Sequence, residues 1–311
     1  MSFLVEIDES AYRSNAINSF SASPSFALGD AQTMMWMSQL AYETAHPDKI
    51  KTILGRWSLG FKDLAGNDPT NRLPPNSACF VAAAGRNATI IAFSGTDPLN
   101  IIDWITDFTV VHSTDDLHTG FKAALDAVWA SRIRPVIEQR VANEQSLYFT
   151  GHSLGGALAI LAAERAMSEL SVTATAVYTF GSPRTGGTDF FARYGTELAD
   201  RTFRLVYAND IVPAVPLTIR GNFLHVGHCM RCASADHFSA NTPRELISQN
   251  NPDILANVLN SALAAIFLFK LGHPAPSAGS RLIDQLSIAL PPPIRDHLPA
   301  NYFRALSIPL K

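Results

Sequence analysis

Residues 147–163 read LYFTGHSLGGALAILAA. An apolar run of strand length, 147–150, meets Gly151-His152-Ser153-Leu154-Gly155, and small and apolar residues of helical length come next over 154–167. The pentapeptide fits G-x-S-x-G. Alone that pattern is weak. A strand before it and a helix after it supply the context in which it raises a serine above the carboxyl edge of a sheet. Glycines on both flanks let neighbouring backbones approach closely. The helix starting behind the serine offers free N–H groups and a positive dipole end to a developing oxyanion. Ser153 is therefore the expected nucleophile, and the amide of Leu154 the expected first oxyanion donor.

Outward from this turn the chain alternates. Residues 78–84 and 88–94 are short apolar runs split by Gly85-Arg86-Asn87, which predicts a hairpin. A helix is expected over 121–141, a strand over 174–180, a helix over 189–198 and a strand over 202–208. Upstream, Met34, Met37, Leu40 and Ala41 mark a helix over 30–42. Residues 1–27 read as irregular, and 67–76 as a Pro- and Asn-rich loop. Strands alternating with helices predict an α/β fold of the α/β-hydrolase type, with a mainly parallel sheet flanked by helices. After Pro243 the chain reads as helical, an insertion near 243–272, then passes through a Pro-rich stretch to a short terminal helix. Nothing resembles an interdomain linker, so residues 1–311 are expected to form a single domain.

Composition narrows the function. Hydrophobic residues make up 47% and charged residues 16%, which suits a large buried core. A net charge of −3 gives no electrostatic case for nucleic acid. Three cysteines, Cys79, Cys229 and Cys232, provide no disulfide framework. The start, MSFLVEIDES, lacks the basic region and apolar core of a signal peptide, so a cytoplasmic chain is expected, with a signal-free export route left open. The apolar run 254–271 carries Asn257, Asn260, Ser261 and Lys270, and reads as a buried or interfacial helix rather than a transmembrane anchor.

A nucleophilic serine needs an acid after it, at the carboxyl end of a later strand. Asp189 falls in a helix, and Asp200 precedes its strand at the wrong edge. Asp210 follows the apolar run 203–208 at the right edge. The second oxyanion donor should come from the loop after an earlier strand, and Thr96 in Ser94-Gly95-Thr96 fits.

Taken together, these blocks resemble the fungal-type (class 3) lipases. FTGHSLGGALA (149–159) looks like that family's elbow, and FSGTD (93–97) with Trp104 and Asp107 like its oxyanion segment and lid entry. HTGF (118–121), TFGSPRTGG (179–187), NDIVPAVP (209–216) and FLHVG (223–227) resemble further blocks, the last a late strand. The resemblance covers about residues 78–227 and a short piece near the C-terminus. It implies that Asp210 is the acid and that both the N–H and hydroxyl of Thr96 serve the oxyanion hole. It also implies an amphipathic lid near 97–105, carrying Leu99, Ile101, Ile102, Trp104 and Ile105; an ordinary core-facing helix is the competing reading of that segment.

Five histidines follow Asp210. His225 lies in a strand-like run; His228 and His273 sit beside glycine in loops. His237 and His297 both occur as Asp-His. After His297 comes LPANYFRAL, whose Tyr302, Phe303 and Leu306 can pack and hold the preceding loop, and the family ends similarly. After His237 comes FSANTPREL, which reads as the start of a helix. His297 is the expected base. His225, His228, Cys229, Cys232 and His237 crowd together with metal-like spacing, against which stands a loop with reduced cysteines; no metal and no cofactor is expected, since a serine esterase needs neither. The expected reaction is carboxylic ester hydrolysis by Ser153, Asp210 and His297, acting on lipid esters, acylglycerols above all, at a lipid–water interface. A phospholipase or aryl esterase is the near rival, and a silent partner-binding scaffold of this fold the distant one.

Overall fold

The computed structural model describes residues 6–66, 77–96, 117, 119–216, 223–245 and 292–310. The lid segment with Leu99, Ile101, Ile102, Trp104 and Ile105, the apolar run 254–271, His118 and His273 lie outside the described residues. In chain order the elements are helices α1 (Leu28–Leu40) and α2 (Pro47–Arg56), strands β1 (Gly60–Ala65), β2 (Phe80–Gly85) and β3 (Ala88–Phe93), and helices α3 (Thr119–Val128) and α4 (Arg134–Ala142). Strand β4 (Ser146–His152), helix α5 (Leu154–Leu170), β5 (Ala176–Phe180), α6 (Thr188–Ala199), β6 (Thr202–Tyr207), β7 (His228–Cys232), β8 (Arg244–Glu245), α7 (Pro292–Arg295) and α8 (Pro299–Ala305) complete them.

The eight strands form one sheet in sequential order. Strands β3 to β7 run parallel, while β1, β2 and β8 pair antiparallel at the two sides. A parallel sheet is covered on both faces, and its central strands are accordingly apolar throughout. Leu147 and Phe149 of β4 enter the core that includes Phe93, Trp129 and Leu158 beneath α3–α6. Tyr148 of the same strand enters the opposite core, with Met34, Trp36 and Phe303, under α1, α2 and α8. Thr150, beside it, shares a 2.9 Å hydrogen bond with Ser38 of α1, which satisfies both buried hydroxyls.

Strand register brings the loops of the site together. Phe93 pairs with Gly151, His152 with Phe180, and Phe180 with Leu205. Four neighbouring strands therefore end at one edge and send out residues 94–96, Ser153, Gly181 and Asp210 side by side. Asp200, by contrast, caps α6 at the far edge, and Asp189 lies in the first turn of α6.

The structure corrects several expectations. The helix expected over 121–141 is present, and widens to a π-helical turn at Trp129–Ile133 between α3 and α4. The stretch 223–227 is not the late strand: Leu224 makes an isolated bridge to Gly186, and the parallel ladder with β6 begins only at His228, opposite Phe203. Gly227, at φ 75°, turns the chain, and Arg204 Nε takes the Val226 carbonyl. His228 is thus a strand residue, not a loop residue, and its ring stacks on Phe203. Arg244–Glu245 pairs with β7, where the sequence reads as a helix start. Strand alternation also separates the two cysteines that the sequence groups with metal-like spacing. Cys232 faces the α1 side, whereas Cys229 lies against Arg204 on the other face. The N-terminal stretch lacks long elements but is packed, with Tyr12, Ile17 and Phe26 buried. Among the described residues no helix is long and apolar enough to cross a membrane.

The C-terminal segment closes over the α1 face. Phe303 meets Trp36 edge-on at 4.5 Å, Gln32 Nε2 donates to the Leu306 carbonyl, and Phe238 N to that of Ala305. Phe303→Ala removes a fully buried ring from this seam and is expected to cost about 3–5 kcal/mol in a urea titration. A loss under about 1 kcal/mol would mean that the segment is anchored elsewhere.

Candidate active site

Ser153 leaves β4 at φ 59°, ψ −131°, a conformation rare for a residue with a side chain and costing on the order of 1–3 kcal/mol. The surroundings over-determine it: Ser153 N donates to the Phe180 carbonyl on the next strand, and Gly156 N to Ser153's own carbonyl. The serine does not cap α5 with its side chain, so Oγ is left free. The Leu154 amide opens α5, where an N–H has no acceptor within the helix. Thr96 stands in the neighbouring loop. That loop passes so close that a methyl on Gly95 would lie 3.0 Å from Ser153 Cβ and 2.6 Å from the His152 carbonyl.

Asp210 sits beyond the end of the six-residue strand β6, Thr202–Tyr207, buried like its partner. His297 Nδ1 lies 2.9 Å from both carboxylate oxygens. Val212 N donates to Oδ1 at 2.9 Å and the Tyr302 hydroxyl to Oδ2 at 2.5 Å. Burial, and then the adjacent carboxylate, push the Tyr302 phenol well above its usual range, which keeps it a donor. Gly181, at φ 59°, lets these groups meet: a methyl there would fall 2.5 Å from Asp210 Oδ2 and 2.9 Å from His297 Nδ1.

Among the described histidines after Asp210, His297 is the one bonded to it. His225 Nε2 donates to the Pro213 carbonyl, His228 faces Asp200, and His237 is exposed with Nδ1 on the Arg304 carbonyl. The two Asp-His pairs differ in the aspartate too. Asp296 Oδ2 accepts from Asn209 N, and Ile211 N donates to the Pro293 carbonyl, so the loops bearing acid and base are tied directly. With Nδ1 turned to Asp210, His297 Nε2 is the free face of the ring. Ser153 Oγ and His297 Nε2 are both buried polar atoms without a hydrogen-bond partner among the described residues. Such atoms are costly to leave unsatisfied. Seven other buried polar atoms among the described residues share this lack, His225 Nδ1 and His228 Nδ1 among them; what sets His297 apart is that its other ring nitrogen is held by Asp210.

The loop after Asp210 is held by buried side-chain donors. Arg184 Nη1 reaches the carbonyls of Ala214 and Pro216, the latter at 2.7 Å, and His225 that of Pro213 at 2.7 Å. Burial, and then Arg204, push Arg184 down to about 10; burial, with both arginines behind it, pushes His225 well below the usual histidine range. Sequence reasoning misses Tyr42, His152, Asp296, Arg184 and the Tyr302 bond to the acid. The Asp-His dipeptide and the aromatic C-terminal helix are the only signals pointing toward them.

Known proteins resemble this chain. A model of the class 3 lipase family matches residues 90–219. A secreted mono- and diacylglycerol lipase of Fusarium solani is 35% identical over 143 residues, 44% of this chain and 41% of its own. The triacylglycerol lipase OBL1 of Arabidopsis thaliana is 29% identical over 265 residues, 69% of this chain and 51% of its own. The chain thus spans about half the length of these curated relatives. Among solved structures, a triacylglycerol lipase described as having a serine protease triad superposes with a TM-score of 0.57 at 22% identity, covering 75% of this chain and 92% of that one. Lipase II from Rhizopus niveus gives 0.56 at 19%, covering 73% and 89%. Both show the α/β-hydrolase fold. The segment that sets out Ser153, residues 94–96 and Asp210 at one sheet edge is the segment that the class 3 lipase family model matches.

Proposed function

We propose that this chain hydrolyses carboxylic esters, acylglycerols above all, through an acyl-enzyme on Ser153. The observation carrying the proposal is the pair of unpartnered buried atoms, Ser153 Oγ and His297 Nε2, beside a histidine already oriented by Asp210. Ser153 Oγ attacks the ester carbonyl while His297 Nε2 takes its proton; His297 then returns the proton to the departing alcohol. Water deacylates the enzyme by the same exchange in reverse order. Asp210, fixed by Tyr302 and Val212, holds the ring with Nε2 outward and stabilises the imidazolium. The Leu154 amide with Thr96 receives the oxyanion. No step calls for a metal or cofactor. The acylglycerol preference draws on the relatives, several of which are named as lipases of mono-, di- or triacylglycerols.

Ser153→Ala should abolish turnover and labelling by a fluorophosphonate while the fold persists by circular dichroism. His297→Ala should lower kcat by about four to six orders of magnitude, and His237→Ala should leave it near wild type. The reverse order in two folded variants would reassign the base. Thr96→Val is expected to slow kcat about 10- to 1000-fold with little change in KM; an unaltered kcat would leave the oxyanion to backbone donors alone. Finally, if residues 97–105 act as a lid, the rate on an acylglycerol of limited solubility should step upward where the substrate passes from monomers to emulsion. A smooth curve through that limit would count against a lid.

A further inference from the structure

His152 occupies the variable second position of the G-x-S-x-G turn, where the pattern asks nothing of it. It is fully buried, and it is bonded at both ring nitrogens. Nε2 lies 2.7 Å from the main-chain carbonyl of His297. A carbonyl only accepts, so Nε2 carries the hydrogen. Nδ1 of a neutral ring is then an acceptor, and the Tyr42 hydroxyl, 2.7 Å away, donates to it. Tyr42 sits in the short turn Ala41–Glu43 that follows α1. The imidazoles of His152 and His297 lie face to face, with centroids 4.5 Å apart and planes tilted by 32°.

We infer that His152 is a positioning residue for the hydrolysis, bridging the Tyr42 hydroxyl to the main chain of His297 and so fixing the height and tilt of the base above the nucleophile. The inference rests on Ser153 being the nucleophile and His297 the base. The bridge is the contact by which the elbow itself grips the base loop, since Ser153 is the next residue in the chain. It also fits the charge cycle of the reaction. His297 becomes a cation in each half-reaction, and a second cation stacked 4.5 Å from it would oppose that step. Burial first, and the His297 ring second, push the His152 imidazole well below the usual histidine range, so it stays neutral while its neighbour is charged. The titratable groups facing it are Tyr42 from the turn after α1, His297 from the loop after α7, and Tyr302 of α8 at 5.7 Å, with Asp210 behind His297.

The test compares His152→Phe, His152→Gln and Tyr42→Phe on a soluble p-nitrophenyl ester, beside nitrogen NMR of the wild-type protein carrying ¹⁵N-labelled histidine. His152→Phe should lower kcat about 10- to 100-fold at nearly unchanged KM, as expected when a base is misplaced rather than removed. His152→Gln, whose amide can donate to the His297 carbonyl and accept from Tyr42, should recover most of that loss. In Tyr42→Phe the donor that favours the neutral ring is gone, so His152 protonates at higher pH and the acid limb of kcat should move upward in pH. In the wild type, His152 should hold the Nε2–H neutral tautomer to well below the ordinary histidine value of about 6.5. A His152→Phe enzyme with unchanged kcat, no rescue by glutamine, or a His152 that titrates near its ordinary value would each overturn the inference. The NMR result judges the bridge even if a variant fails to fold. Fluorophosphonate labelling of wild-type Ser153 separately judges the assignment on which the bridge depends.

Discussion

The hydrogen bond from His297 to Asp210 joins residues 87 apart in the chain, and the rest of the site depends on its being made. The other parts are set by strand register. Ser153, Leu154, residues 94–96 and Asp210 each follow a strand end, and the sheet places them together as a consequence of its pairing. His297 follows no strand. It is carried to the edge by a loop held in several ways. The Asn209–Asp296 and Ile211–Pro293 bonds tie it to the acid loop, His152 grips its carbonyl, and α8 packs on α1 behind it. The arrangement is therefore only as well defined as the packing of residues 292–310, which bring the His297 ring and the Tyr302 hydroxyl to Asp210.

The acid loop has a scaffold of a different kind. Irregular backbone beside a buried site leaves carbonyls that neither helix nor strand can satisfy. Arg184 and His225 supply the missing donors for Ala214, Pro216 and Pro213, and Arg204 does so for Val226 on the returning chain. The guanidinium fork suits this task because one side chain can meet two carbonyls at once. Burying these groups away from water is costly, and the lowered proton affinity of Arg184 and His225 records that cost.

Much of the site is legible in the sequence because it is local. The elbow is a strand, a turn and a helix in one stretch, and the acid is the first carboxylate beyond an apolar run. The base is legible less directly, from the aromatic residues after it that can pack. The features that escape are polar strand or tertiary contact. Strand β7, HCMRC, carries a histidine and an arginine, yet it is the strand; its histidine stacks on Phe203 and its Cys229 meets a buried arginine. The more apolar FLHVG beside it draws the strand reading and is not one, because Gly227 turns the chain away. Strand β1 is largely exposed and shows no alternation to detect. Tyr42, His152 and Asp296 act through partners distant in sequence, and no spacing announces them.

The order of parts along the chain has a consequence for synthesis. Translation delivers the oxyanion loop first, then the nucleophile, then the acid, and the proposed base 87 residues after the acid. At ribosomal speeds of about 5–20 residues per second, that interval lasts on the order of 4 to 17 s. During it the sheet can form around a strained serine that has no proton acceptor. The proposed nucleophile thus stands without its proposed base until the far segment has docked on α1.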